Sequence, residues 1–190
     1  MKLKLNNVRL SFESIFEPKG FNGGPEKFSC CFILDKTKNA EDLKQFKAIV
    51  KQLQDENYGG KDLPIDRLPI QSGDEKGYDG WIAEDGTPHL IISAANKKRP
   101  VVIARDRTPV TQSDAGAPYS GAYVNAIIDL WPMQGQWGDR IVASLEAVQM
   151  AADGDQFSGS SVNIESDFDD LTGSDNGKSV EVVSEDVLSF

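Results

Sequence analysis

The chain has 190 residues, 30 acidic and 20 basic, for a formal net charge of −10. The charge is uneven: residues 153–190 hold ten acids and one base, a net −9, while the first 152 residues net −1. Two adjacent cysteines and a single histidine make neither a disulfide framework nor a zinc site, and no run approaches the roughly 18 apolar residues that span a bilayer.

A nearly neutral body of about 150 residues fits one domain with a real core. The opening Met1-Lys2-Leu3-Lys4-Leu5-Asn6-Asn7 lacks the apolar middle of a signal peptide, so the cytoplasm is the expected location. Leu3 and Leu5 alternate with lysines. After Asn6-Asn7 the phase changes, and Val8, Leu10 and Phe12 become the apolar set. One extra residue that re-aims a strand is a β-bulge. Phe28, Cys30, Phe32 and Leu34 give the period-2 pattern of a half-buried strand. Residues 39–56 predict the one clear helix, with Leu43, Phe46, Ile49/Val50 and Leu53 on its inner face and Glu41 and Asp42 in its first turn. Tyr58–Gly80 is rich in Gly, Pro and Asp and reads as a long loop. Strands resume at 89–95 and 100–104. Two long ones follow at 119–131 (Ala122, Val124, Ala126, Ile128, Leu130 inward) and 139–150 (Ile141, Ala143, Leu145, Ala147 inward). Long strands, Gly-rich turns and one helix predict a mainly β fold: an oligonucleotide-binding, five-stranded Greek-key barrel, or a β-sandwich with an added helix.

The other face of 119–131 carries Tyr119, Tyr123 and Trp131. Upstream lie Lys97, Lys98, Arg99, Arg105 and Arg107, which with Asp106 give 97–107 a net +4. Cations beside exposed aromatics suit a single-stranded nucleic acid, whose phosphates they neutralise and whose bases stack on the rings. A solvated turn and covered tyrosines are the plainer reading of the same residues.

Enzyme signatures are missing. Gly173-Ser174-Asp175-Asn176-Gly177-Lys178-Ser179 has three residues between its glycines rather than four and follows no buried strand, so it is not a phosphate-binding loop. The acidic residues show no metal spacing. The acidic tail cannot bury enough surface to fold alone and is expected to be flexible. It ends on Val187-Leu188-Ser189-Phe190, an apolar tip suited to gripping another protein.

Several segments together resemble a family of bacteriophage single-stranded DNA-binding proteins. They are Arg9-Leu10-Ser11-Phe12, Phe16-Glu17-Pro18-Lys19, the strand 27–35, Arg99-Pro100-Val101-Val102, Arg105-Asp106-Arg107-Thr108-Pro109, Pro118-Tyr119-Ser120-Gly121-Ala122-Tyr123-Val124-Asn125, Leu145-Glu146-Ala147-Val148-Gln149 and Gly154-Asp155. The resemblance covers roughly residues 1–159. It implies an oligonucleotide-binding barrel and a role in phage replication or recombination. The tail is similar in kind to those that recruit replication and repair enzymes, but ends Leu-Ser-Phe rather than in an acidic run before Pro-Phe.

These readings combine into one expectation. Residues 1–152 form a barrel that binds single-stranded DNA without catalysis, cofactor or metal. Lys97, Lys98, Arg99, Arg105 and Arg107 hold phosphates, and Tyr119, Tyr123, Trp131 and Trp81 stack bases. Residues 153–190 compete with DNA and recruit a replication or recombination protein through Asp186, Leu188 and Phe190. Two alternatives stand: a virion or assembly protein using the barrel as scaffold, and a Mg²⁺-dependent nucleic-acid-processing enzyme.

Overall fold

The computed structural model describes residues 1–20, 23–75, 78–135 and 138–157. Phe21, Trp137, the glycine-lysine segment 173–179 and the expected partner-binding residues Asp186, Leu188 and Phe190 lie outside them. Among the described residues, seven strands form one sheet: β1 (Lys2–Lys19), β2 (Lys27–Leu34), β3 (Ile70–Ser72), β4 (Leu90–Asn96), β5 (Val101–Ile103), β6 (Tyr123–Met133) and β7 (Arg140–Ala152). One α-helix, α1 (Ala40–Asn57), lies between β2 and β3.

The strand order is β3-β4-β2-β1-β6-β7-β5. Within it, β6-β1-β2-β4 is a Greek key, the fourth strand returning beside the first. The sheet curls until β4 meets β7, where the Asn96 amide donates to the Leu145 carbonyl at 3.2 Å and the Glu146 carboxylate at 3.3 Å. Five strands thus close the barrel. The short β3 and β5 extend its edges, which takes the total two beyond the expected five. Of these, β5 falls within the strand expected at 100–104, whereas β3 is too short to show alternation and lies inside the expected long loop, with 3₁₀ turns at Ile65–Arg67 and Gly73–Glu75 beside it.

The barrel interior is built from alternate residues, as expected of strands with one buried face. Leu3, Leu5, Val8 and Leu10 of β1 meet Cys30, Phe32 and Leu34 of β2, and Val124, Ala126, Ile128 and Leu130 of β6. Leu43, Phe46, Val50 and Leu53 of α1 join this core. The phase change at Asn6-Asn7 is a bulge: the β1–β6 register shifts between Leu5 and Val8, and Asn7 has φ 49°. The helix start locks it. Asp42, 5% exposed, accepts from the Asn6 backbone N–H at 2.8 Å and its side-chain amide at 2.9 Å, while Asn39 donates to the Asn6 carbonyl.

Two inward assignments are corrected. Phe12 does not continue the Val8–Leu10 face. A second irregularity follows Ser11, Phe12 takes φ 49°, and the ring turns outward while Ser11 is buried. Ala147 leaves the Ile141–Ala143–Leu145 face because the β6–β7 register shifts there, handing the interior to Val148 and Met150.

Candidate nucleic-acid interface

The outer face of the sheet carries a row made by strand register. Arg9 of β1 stands opposite Tyr123 of β6 on one side and Ile33 of β2 on the other, and Ile33 stands opposite Ile91 of β4. Trp81 lies on Ile33 and Ile91 as a second, small core outside the barrel. Tyr78 and Phe12 close over it edge to face, with centroids 4.8 Å apart and 4.9 and 6.0 Å from Trp81. Phe12 is 51% and Tyr78 44% exposed.

Residues 153–157 lie across this row, so the packing runs past 152 to Phe157. The Tyr119 hydroxyl donates to the Gly154 carbonyl at 2.9 Å. The Arg9 guanidinium donates to the Asp155 carbonyl at 2.9 Å and the Gly121 carbonyl at 3.1 Å. It also sits 4.3 Å from the Phe157 ring centre and 5.7 Å from that of Tyr123, within cation–π reach of both. The Phe157 N–H donates to the Ser120 carbonyl, and the Asp153 carboxylate pairs with Arg105 at 2.6 Å.

The expected site residues separate into three places. Tyr119, Tyr123 and Arg105 come together at the start of β6 and the end of β7, under residues 153–157. Arg105 and Arg107 flank the tip of a tight turn after β5. There Asp106 accepts from the Thr108 N–H at 2.9 Å, and that bond holds its carboxyl below the usual carboxylate range. Lys97, Lys98 and Arg99 are exposed at the other end of β5. Arg99 borders a shallow depression with Phe16, Glu17 and Thr111. Trp131 shares the outer face but stands eight residues along β6, about 27 Å from Tyr123, with its indole N–H on the Ser144 hydroxyl. It is 41% exposed.

Trp81 requires a correction. It is only 2% exposed, with Phe157 packed against its cluster, so it has no open face for a base while residues 153–157 are in place, and its Nε1 has no hydrogen-bond partner among the described residues. It supports Phe12 and Tyr78 instead. Sequence reasoning missed Arg9 and Phe157. Arg9 alternates correctly for an outward residue, but its partnership with Tyr123 depends on a pairing across more than a hundred residues. Phe157 is a lone ring in a Gly/Asp/Ser segment.

The chain is similar to several phage proteins. Protein p50 of Acyrthosiphon pisum secondary endosymbiont phage 1 is 38% identical over 182 residues, 90% of this chain and 95% of p50. The single-stranded DNA-binding protein from bacteriophage Enc34, solved in complex with ssDNA, superposes with a TM-score of 0.71 at 25% identity, covering 83% of this chain and 89% of that one. A C-terminal truncation of the same protein superposes with a TM-score of 0.70 at 24% identity, over 82% and 88% of the two chains, a likeness of fold. The family model described as Enterobacter phage Enc34, ssDNA-binding protein, matches residues 1–179. With nearly its whole length matched, the chain belongs to the Enc34 ssDNA-binding protein family.

Proposed function

We propose that this protein binds single-stranded DNA, without catalysis, in phage replication or recombination inside the host cell. The observation that carries the reading is the likeness, over 83% of this chain, to a protein solved with ssDNA. The geometry agrees with it. One outer face sets Arg9 against Tyr123, with Tyr119 and Arg105 at its edge, and puts the exposed Phe12 and Tyr78 rings further along. Arg99, Lys97 and Lys98 extend positive charge beyond β5.

Binding by rings and phosphate contacts does not read base edges, so it is largely independent of sequence. The acidic tail adds two roles to this reading. Its charge competes with phosphate for the basic residues, and Asp186, Leu188 and Phe190 dock a replication or recombination protein.

Titration of labelled oligo-dT across a salt series tests the binding. Affinity is expected to fall steeply with salt, with a log–log slope of about −0.7 per phosphate neutralised on a single strand. Replacing Lys98 and Arg99 by alanine should weaken binding and flatten that slope. A wild-type chain that ignores oligo-dT at low salt sinks the reading; an unchanged slope in the double variant removes only that cluster from the site.

A further inference from the structure

We propose that the outer-face seat framed by Arg9, Tyr119, Tyr123 and Gly80 is a nucleotide-binding subsite, and that Asp153–Phe157 fills it as a nucleotide mimic. The Asp153 carboxylate stands in for a phosphate and the Phe157 ring for a base. This rests on the reading that the chain binds single-stranded DNA, and names where one nucleotide sits.

The polar and charged side chains that hold the segment have chemistry a nucleotide would use. Asp153 places an anionic oxygen 2.6 Å from the Arg105 guanidinium, as a phosphate oxygen would be placed. Phe157 lays a flat ring against the Arg9 guanidinium at 4.3 Å, and a base offers the same kind of π-face. The Tyr119 hydroxyl and Arg9 are bonded to backbone carbonyls, acceptors that sugar and phosphate oxygens replace.

The seat is shaped to take a group lying flush. Gly80 has φ 71° and Gly121 φ 102°. A methyl group at Gly80 would collide with the Phe157 ring, and one at Gly121 with the Asp155 carbonyl. Yet the occupant is weakly held. The Arg105–Asp153 pair is exposed, with 55% and 74% of the two side chains open to water, and such pairs contribute little. Phe157 is only partly buried, on the small Trp81 cluster rather than in the barrel core. Contacts of this kind open at low free energy, so a ligand presenting the same groups can displace them.

Two measurements on the full chain decide it. In the first, oligo-dT affinity of D153N/F157A is compared with wild type and with R9A at low salt. The double variant should bind at least threefold more tightly and R9A at least tenfold more weakly. In the second, hydrogen exchange is followed at the Phe157 amide, which is bonded to the Ser120 carbonyl at 3.1 Å. Its exchange should accelerate on saturation with oligo-dT. A double variant that binds no tighter, or a Phe157 amide equally protected with DNA bound, overturns the subsite and leaves Asp153–Phe157 as a permanent closure of the barrel. Loss of all oligo-dT binding in wild type and both variants would instead overturn the functional reading itself.

Discussion

Tyr123 and Val124 are neighbours with opposite duties. The Tyr123 ring lies on the outer face beside Arg9 and Gly154, half-buried, whereas Val124 is fully enclosed between β1 and β7. Val124→Ala removes two methyl groups from a packed interior and should destabilise the fold by about 1–3 kcal/mol. Tyr123→Ala gives up edge contacts and a cation–π partner, less than about 1.5 kcal/mol, but should weaken oligo-dT binding several-fold. Urea melts beside DNA titrations of the two variants check the pair. If Tyr123→Ala is the more destabilising, the outer face is structural. The facing of these two residues was legible because an eleven-residue strand repeats its alternation often enough to fix the phase. Phe12 was not legible, since an apolar ring satisfies the pattern whether it points in or out. Its exposure and the register irregularity after Ser11, where it takes a positive φ unusual for a bulky residue, show that it points out.

At the scale of elements, α1 does more than fill the barrel. Its buried Asp42 satisfies both the backbone N–H and the amide of Asn6, so the helix start and the first bulge of β1 fix each other. Asp42→Ala leaves those donors without their anionic acceptor and should lower stability by about 2–4 kcal/mol. Asp42→Asn, retaining one acceptor oxygen, should lose less. Thermal melts of the two variants give the order, and equal losses would mean that a single neutral acceptor contributes nothing and that the charge and paired oxygens of the carboxylate carry the whole effect. Here sequence reasoning went far: the bulge showed as a change of hydrophobic phase, and the helix as apolar spacing with acids in its first turn. It failed where the signal was short. Three residues of β3 inside a Gly/Pro-rich stretch cannot show a period. The shift in β7 hides because Ala147 and Val148 are both apolar. The site shared this limit. Tyr119, Tyr123 and Arg105 could be named from composition and alternation, but Arg9 joins them only through β1–β6 pairing. Lys97–Arg99 and Trp131, near them in sequence or on the same strand, stand apart in space.

For the whole molecule, the proposed competition with DNA divides at Phe157 into two sources. Residues 153–157 press on Arg9 and Arg105 by direct contact, whereas residues 158–190 carry eight acids and one lysine, a net −7, and act through charge. Contact and charge respond differently to salt. At low ionic strength, where the Debye length is about 30 Å at 0.01 M, a −7 segment joined to the chain after Phe157 should compete strongly with phosphate under the proposed reading. At 0.15 M the screening length falls to about 8 Å and most of that effect should go. A chain ending at Phe157 should therefore bind oligo-dT more tightly than the full chain at low salt, with the advantage shrinking as salt rises. A chain ending at Ala152 should keep a further advantage that survives at high salt, because displacing a stacked ring is not screened. Affinities of the three chains at 0.01 and 0.15 M give both comparisons. If the chain ending at Phe157 gains nothing at low salt, the acidic segment does not compete for the DNA face, and its charge serves solubility or partner docking. If the chain ending at Ala152 gains nothing beyond it, Phe157 leaves the path of the strand open.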